Sequence, residues 1–171
     1  MNRRTIAGLA AAASITITLS PLSAMSADKS LKQQLIGTWS LTSWEQTRPD
    51  GTKVARFGDH PKGVTSFLPN GRFFIMIHRS DLPKIASNDA MNPTPDEAKA
   101  LTVGAIAYYG TYTVSEKDKT VTEKLEGTTF PNQMDIPQKR IITAISATEM
   151  RFSNPGAVGG GHVELAWKRV K

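Results

Sequence analysis

Gly63-Val64-Thr65-Ser66-Phe67-Leu68, then Pro69-Asn70-Gly71, then Arg72-Phe73-Phe74-Ile75-Met76-Ile77-His78-Arg79: this stretch decides the fold. Asn-Gly between two apolar runs is a strong hairpin signal, because the tight turn needs backbone conformations that asparagine and glycine tolerate. In the second arm Phe73, Ile75 and Ile77 share one face, while Phe74, Met76 and His78 share the other. Both faces are largely apolar, so this strand is expected to be covered on both sides.

The same alternation extends outward in both directions. Upstream, Leu35 to Thr47 is rich in Thr, Trp and Leu and is long enough for a full barrel strand. One face carries Trp39, Leu41 and Ser43, and the other Ser40, Thr42 and Trp44. Pro49-Asp50-Gly51 then turns the chain. Downstream, Ser80 to Asn92 is irregular and leads into Thr94-Pro95-Asp96-Glu97, a helix start. Thr94 can cap the free N–H groups, Pro95 suits the first helical position and Glu97 completes a capping box. One helix is predicted from about Pro95 to Ile106, weakened at its end by Gly104.

Beyond the helix the β pattern returns. Tyr108 to Val114 and Thr120 to Glu126 flank the turn Glu116-Lys117-Asp118-Lys119. Lys139 to Ile145, Glu149 to Ser153 and Val163 to Val170 should pair as a meander. Residues 154–161, with Pro155 and Gly159-Gly160-Gly161, read as a mobile loop. About eight strands with one inserted helix predict an all-β fold, an antiparallel barrel whose closure removes exposed edges.

The N-terminus reads as a targeting segment. Arg3 and Arg4 precede an uncharged run from Thr5 to Leu19, and Pro21 and the small residues around Ser23-Ala24-Met25-Ser26-Ala27 follow. That order matches a secretory signal peptide over residues 1–27, leaving one domain over 28–171. The apolar run is short and rich in Thr and Ser for a membrane span, so no stable insertion is expected after cleavage. The paired arginines also permit a twin-Arg route. The expected location is periplasmic or secreted.

Removing that segment takes away two arginines and no acid, which lowers the formal charge from +6 to +4. The excess is mild and spread out, and no basic run or RNP-like aromatic motif argues for nucleic acid. The chain has no cysteine, so disulfides, thiol catalysis and thiolate metal sites are excluded.

Several segments together resemble a known family. Leu35-Ile36-Gly37-Thr38-Trp39-Ser40-Leu41-Thr42-Ser43-Trp44-Glu45 is similar to the opening strand of the bacterial lipocalin-like domain family, and its Gly37-x-Trp39 element is shared with true lipocalins. Phe57-Gly58-Asp59-His60-Pro61-Lys62-Gly63, Asn70-Gly71-Arg72 and Tyr109-Gly110-Thr111-Tyr112 follow in the family's order. Phe130-Pro131-Asn132, Gln138-Lys139-Arg140 and Leu165-Ala166-Trp167-Lys168-Arg169 close it. The resemblance spans nearly all of the mature chain and implies a barrel with a small cavity. It implies no single activity; some members occur beside natural-product pathways. One departure stands out: where relatives often carry histidine, this chain reads Thr122-Glu123-Lys124-Leu125.

A barrel of this size holds one small ligand. The candidate ligand-binding residues are Trp39, Leu41, Phe74, Met76, His78, Tyr109 and Arg140. Trp39 and Trp167 are also expected to plug a barrel end, with Arg140 or Arg169 stacked across it. His60 and His162 read as solvated, and no histidine pair has metal-ligand spacing, so neither metal nor cofactor is expected. His78, Tyr109 and Tyr112 are the candidate proton-transfer groups. Glu45 and Glu123 sit among polar neighbours and read as solvated.

No nucleophile motif or phosphate loop appears. The leading expectation is therefore an exported module binding a small apolar or amphipathic molecule. A low-motif isomerase or cyclase using the same cavity is the first alternative. An envelope protein with a filled barrel that contacts other proteins is the second.

Overall fold

The computed structural model describes residues 29–171; the expected signal peptide over residues 1–27 lies outside them. Ser30 caps a short helix α1 (Leu31–Leu35), and nine strands follow: β1 (Gly37–Thr47), β2 (Lys53–Val54), β3 (Lys62–Phe67), β4 (Arg72–His78), β5 (Ala105–Ser115), β6 (Thr120–Thr128), β7 (Gln138–Ile145), β8 (Glu149–Asn154) and β9 (His162–Arg169). Helix α2 (Pro95–Gly104) lies between β4 and β5, and a 3₁₀ turn spans Pro131–Gln133.

All pairings are antiparallel. The order runs β1-β3-β4-β5-β6-β7-β8-β9, and β9 pairs back to β1, closing eight strands into a barrel with β2 as an extra ribbon on β1. The hairpin anticipated at Asn70-Gly71 joins β3 to β4, with Phe67 opposite Phe73. Closure leaves only the upper part of β1 to bind a short edge strand, which protects the sheet from edge pairing.

The capping box of α2 is present as anticipated: Thr94 Oγ1 accepts from the Glu97 N–H and Glu97 Oε2 accepts from the Thr94 N–H. The helix is shorter than expected. Ala105 and Ile106 already pair with His78 and Ile77 in β4, so sheet hydrogen bonds win over the helix's last turn. Helix α1 and β2 were not legible as elements.

Three register shifts reset the side-chain phase, at Leu41/Ser43, Tyr109/Gly110 and Ile142/Ala144. Between Leu41 and Ser43 the register of β1 against β9 shifts by one residue. Trp39 and Leu41 point inward, but Ser43 then faces out and Trp44 turns toward the core, opposite to simple alternation. A second bulge at Tyr109/Gly110 lets β5 approach β6 closely; a Cβ on Gly110 would lie 2.0 Å from the Lys124 carbonyl oxygen.

The base of the barrel is sealed by α1. Leu31 and Leu35 are buried, Trp39 Nε1 donates to the Leu35 carbonyl at 2.9 Å, and both Glu116 carboxylate oxygens accept N–H groups of the helix's first turn. Arg169 lies over the Trp39 ring at 3.9 Å and donates to the carbonyls of Gln34, Ile36 and Ala147. The stacked arginine is thus Arg169 and not Arg140.

Candidate functional site

The barrel wall divides the seven expected ligand-binding residues into two groups. Trp39, Leu41 and Arg140 are buried inside. Phe74, Met76 and Tyr109 are 42%, 47% and 50% exposed and, with the partly buried His78 of the same parity, lie on the outer face, which corrects their expected place in the interior lining. The reason is parity. Phe73, Ile75 and Ile77 of β4 and Tyr108, Gly110 and Tyr112 of β5 take the inner positions, so the alternate residues must face out. The expectation that β4 is covered on both faces is corrected by the same exposures.

The interior is filled. Leu35, Trp39, Phe57, Met150, Phe152 and Trp167 are each 2% exposed or less. Phe67 packs edge-on against Tyr112 with centroids 5.1 Å apart, and Phe152 stacks on Trp167. Phe57, from the connection between β2 and β3, plugs the mouth edge-on to Trp44 at 4.9 Å. Gln46 Nε2 donates to the carbonyls of Val158 and Gly160, which ties the glycine-rich connection across the same opening. The chamber left at the mouth, bordered by Gln46, Phe57, Gln133 and Val163, measures about 60 Å³. That holds a few waters and not an organic ligand of ordinary size.

Inside the barrel one polar cluster interrupts the apolar filling. Arg140 Nη2 stands 3.0 Å from Glu123 Oε2 and donates to the Tyr108 hydroxyl at 3.1 Å. Burial pushes the Glu123 carboxyl above its usual range, with the Arg140 charge opposing, and burial likewise raises the Tyr108 phenol. Glu123, expected to be solvated, is therefore corrected to an interior residue. The signal was present in Val121-x-Glu123-x-Leu125, an inward face of alternating residues. Glu45 is exposed and pairs with Lys53 at 2.7 Å.

The outer wall carries the larger openings. A groove of about 600 Å³ runs between α2 and the outer face of β4 and β5. Met76, Leu82, Leu101, Ala105, Ile106 and Ala107 supply its apolar surface, and His78, Thr102 and Thr129 its polar groups. On the same face Phe74 stands opposite Tyr109, and Met76 opposite Ala107, so the apolar surface continues along the strands. His78 Nδ1 lies 2.7 Å from the Arg79 carbonyl; a carbonyl only accepts, so Nδ1 is the donor in this bond. A second cleft of about 520 Å³ lies over β1 and β9, but Glu45, Lys53, Asp59, Arg151 and Glu164 make it charged.

The three proton-transfer candidates are not brought together. His78 borders the groove, Tyr109 lies over Gly127 on the outer wall, and Tyr112 is buried inside with its hydroxyl donating to the Leu68 carbonyl at 2.9 Å. His60 and His162 are exposed, as anticipated. Among the described residues no group of three or more His, Cys, Asp or Glu is placed to hold a metal ion. No helix of the described residues is long and apolar enough to cross a membrane.

The lipocalin-like domain family matches the chain over residues 36–170, and the chain belongs to that family. It is similar to a lipocalin-like protein from Bacteroides uniformis at 13% identity, covering 80% of this chain and 99% of that one, with a TM-score of 0.42. It is also similar to a redesigned β-barrel at 16% identity, covering 85% of this chain and 100% of that one, with a TM-score of 0.44. No curated protein matches it.

Proposed function

We propose that this is an exported lipocalin-like protein that binds a small apolar or amphipathic molecule, and that it does so in the groove between α2 and the barrel's outer wall. The observation that carries the reading is the contrast in free volume: about 600 Å³ of mainly apolar groove outside, against about 60 Å³ at the mouth of a filled barrel. Small-molecule sites are typically a few hundred Å³ of apolar surface with a few placed polar groups. Met76 and His78 line this groove, on the other side of the wall from the cavity in which they were expected, and that placement supports the reading.

A neutral solvatochromic dye such as Nile red tests the site. Wild-type protein is expected to bind it with a blue-shifted emission, and Met76→Trp and Ala107→Leu, which fill the groove, are expected to abolish the shift. Unchanged binding in both variants would place the dye elsewhere. N-terminal sequencing of protein recovered from the periplasm or medium tests export; a sequence starting at Met1 or Asn2 would refute cleavage.

A second reading draws on Phe74 and Tyr109, which extend the exposed apolar surface beyond the groove. In that reading the outer wall contacts another envelope protein. Phe74→Ser would then disrupt a complex while leaving dye binding intact.

A further inference from the structure

We propose that the chamber at the barrel mouth is a separate site, and that it holds a small oxyanion still carrying one hydrogen, of the size of hydrogencarbonate. The inference does not depend on the outer groove. It rests on two side chains that line the chamber, Arg56 and Gln133, whose needs are opposite and unmet.

Gln133 ends the 3₁₀ turn after Phe130 and is 8% exposed, yet its Oε1 is buried with no hydrogen-bond partner. An amide oxygen kept dry in this way is costly, so a group that donates to it gains more than it would in water. Arg56 reaches the chamber from the connection between β2 and β3. Its Nε donates to the Val103 carbonyl at 3.0 Å and its guanidinium lies over the Phe57 ring at 4.9 Å. The ion pairs among the described residues engage Lys53, Arg72, Arg79 and Arg140, and leave Arg56 without a carboxylate. Burial disfavours its charge and no neighbouring acid opposes that effect. Among the described residues no acidic side chain lines the chamber.

The other polar groups of the lining are engaged. Gln46 Nε2 spends its hydrogens on the Val158 and Gly160 carbonyls, and Asn154 Oδ1 accepts the Gly156 N–H at 3.1 Å. The site therefore calls for a negative charge toward Arg56 and a hydrogen toward Gln133. Water meets the second need but not the first. Nitrate meets the first, but sets a bare oxygen against Gln133 Oε1. Hydrogencarbonate has the same planar shape and meets both: its charged oxygens face the guanidinium, and its hydroxyl donates to the amide oxygen. Four heavy atoms suit a chamber of about 60 Å³. The bound ion would join the β2–β3 connection to the turn before β7, across the opening that Gln46 also spans.

An NMR titration of isotope-labelled protein tests this at about pH 8, where a guanidinium is charged. Potassium hydrogencarbonate and potassium nitrate are added separately, with ionic strength held constant by potassium chloride, and the Arg56 Nε–H and Gln133 side-chain amide signals are followed. Hydrogencarbonate is expected to give saturable shifts at both, with a dissociation constant on the order of millimolar. Nitrate is expected to bind at least about tenfold more weakly. Arg56→Gln and the chamber-filling Ala157→Leu should abolish the hydrogencarbonate response, and Gln133→Leu should reduce it to the level of nitrate. Hydrogencarbonate should also raise the melting temperature of the wild type and not of Arg56→Gln. Nitrate binding as tightly as hydrogencarbonate, a comparison that needs no variant, would overturn the part given to the hydrogen. Shifts no larger than those from chloride alone would mean that the chamber holds only water, and would overturn the site. Saturable shifts that survive in both Arg56→Gln and Ala157→Leu would overturn its placement at the mouth.

Discussion

Glu123 and Arg140 face each other inside the barrel, Oε2 to Nη2 at 3.0 Å, with 2% and 3% of their side chains exposed. Their mutual attraction offsets a large desolvation cost, so neither is tolerable alone. Glu123→Gln and Arg140→Met are each expected to destabilise the protein by about 3–5 kcal/mol, and the double variant by much less than their sum. Urea denaturation of the four proteins measures this. Additive losses would mean the two groups do not form a working pair.

Arg169 joins three parts of the barrel base. It covers Trp39 and bonds the carbonyls of Gln34, Ile36 and Ala147. Arg169→Ala is expected to cost roughly 2–4 kcal/mol, and Arg169→Lys to recover only part, because an ammonium cannot spread over the ring and reach three carbonyls. Thermal melts of both variants check the order.

Acid should loosen the segment that builds the groove. Glu97 accepts from the Thr94 N–H at 2.8 Å and the Ala86 N–H at 2.9 Å, and these bonds hold its carboxyl below the usual range. A lowered folded-state value means that its stabilisation is present above the ordinary carboxylate range, about 4.3, and is lost as pH falls through the folded value. The protection of the Ala86 and Thr94 amides, measured relative to the intrinsic exchange rate at each pH, is therefore expected to fall below about pH 4. Glu97→Gln should flatten that response. An unaltered pH profile in the variant would point to another group, such as Asp81 in its bond to Arg79.

Gly110 marks a place where only hydrogen fits. Its added Cβ would stand 2.0 Å from the Lys124 carbonyl oxygen and 3.0 Å from the Leu125 Cα, both backbone atoms that cannot swing aside. Gly110→Ala is expected to destabilise by about 3 kcal/mol or more. Gly127→Ala is expected to be milder, because the crowding atoms belong to the Tyr109 ring, which can turn away. Comparing the two midpoints in urea tests the distinction.

The order of strands was readable because turn chemistry and period-two alternation agree along most of the chain, clearest at Asn70-Gly71 and Arg72 to His78. The faces were harder. Alternation says which residues travel together, but β4 has two apolar faces, and nothing local marks Phe73 rather than Phe74 as the inner one. The bulge at Leu41/Ser43 is invisible to strict alternation and moves Trp44 across the wall. Glu123 was misplaced for a different reason. Its sequence neighbours Thr122 and Lys124 are polar, whereas in a strand the residues that share its face are Val121 and Leu125. The groove was beyond sequence reading, since it needs the packing of α2 against β4 and β5, which no spacing encodes.

The seam between β1 and β9 has a consequence in time. Trp39 pairs with Arg169 and Gln46 with Val163, so the first long strand finds its closing partner only in the last one. Contacts of such wide sequence separation make folding slow. During synthesis the barrel must wait open until its final residues emerge, and the base that α1 and Arg169 seal is among the last regions to settle. A chain that folds so late stays available, while it is being made, to machinery that handles extended polypeptides.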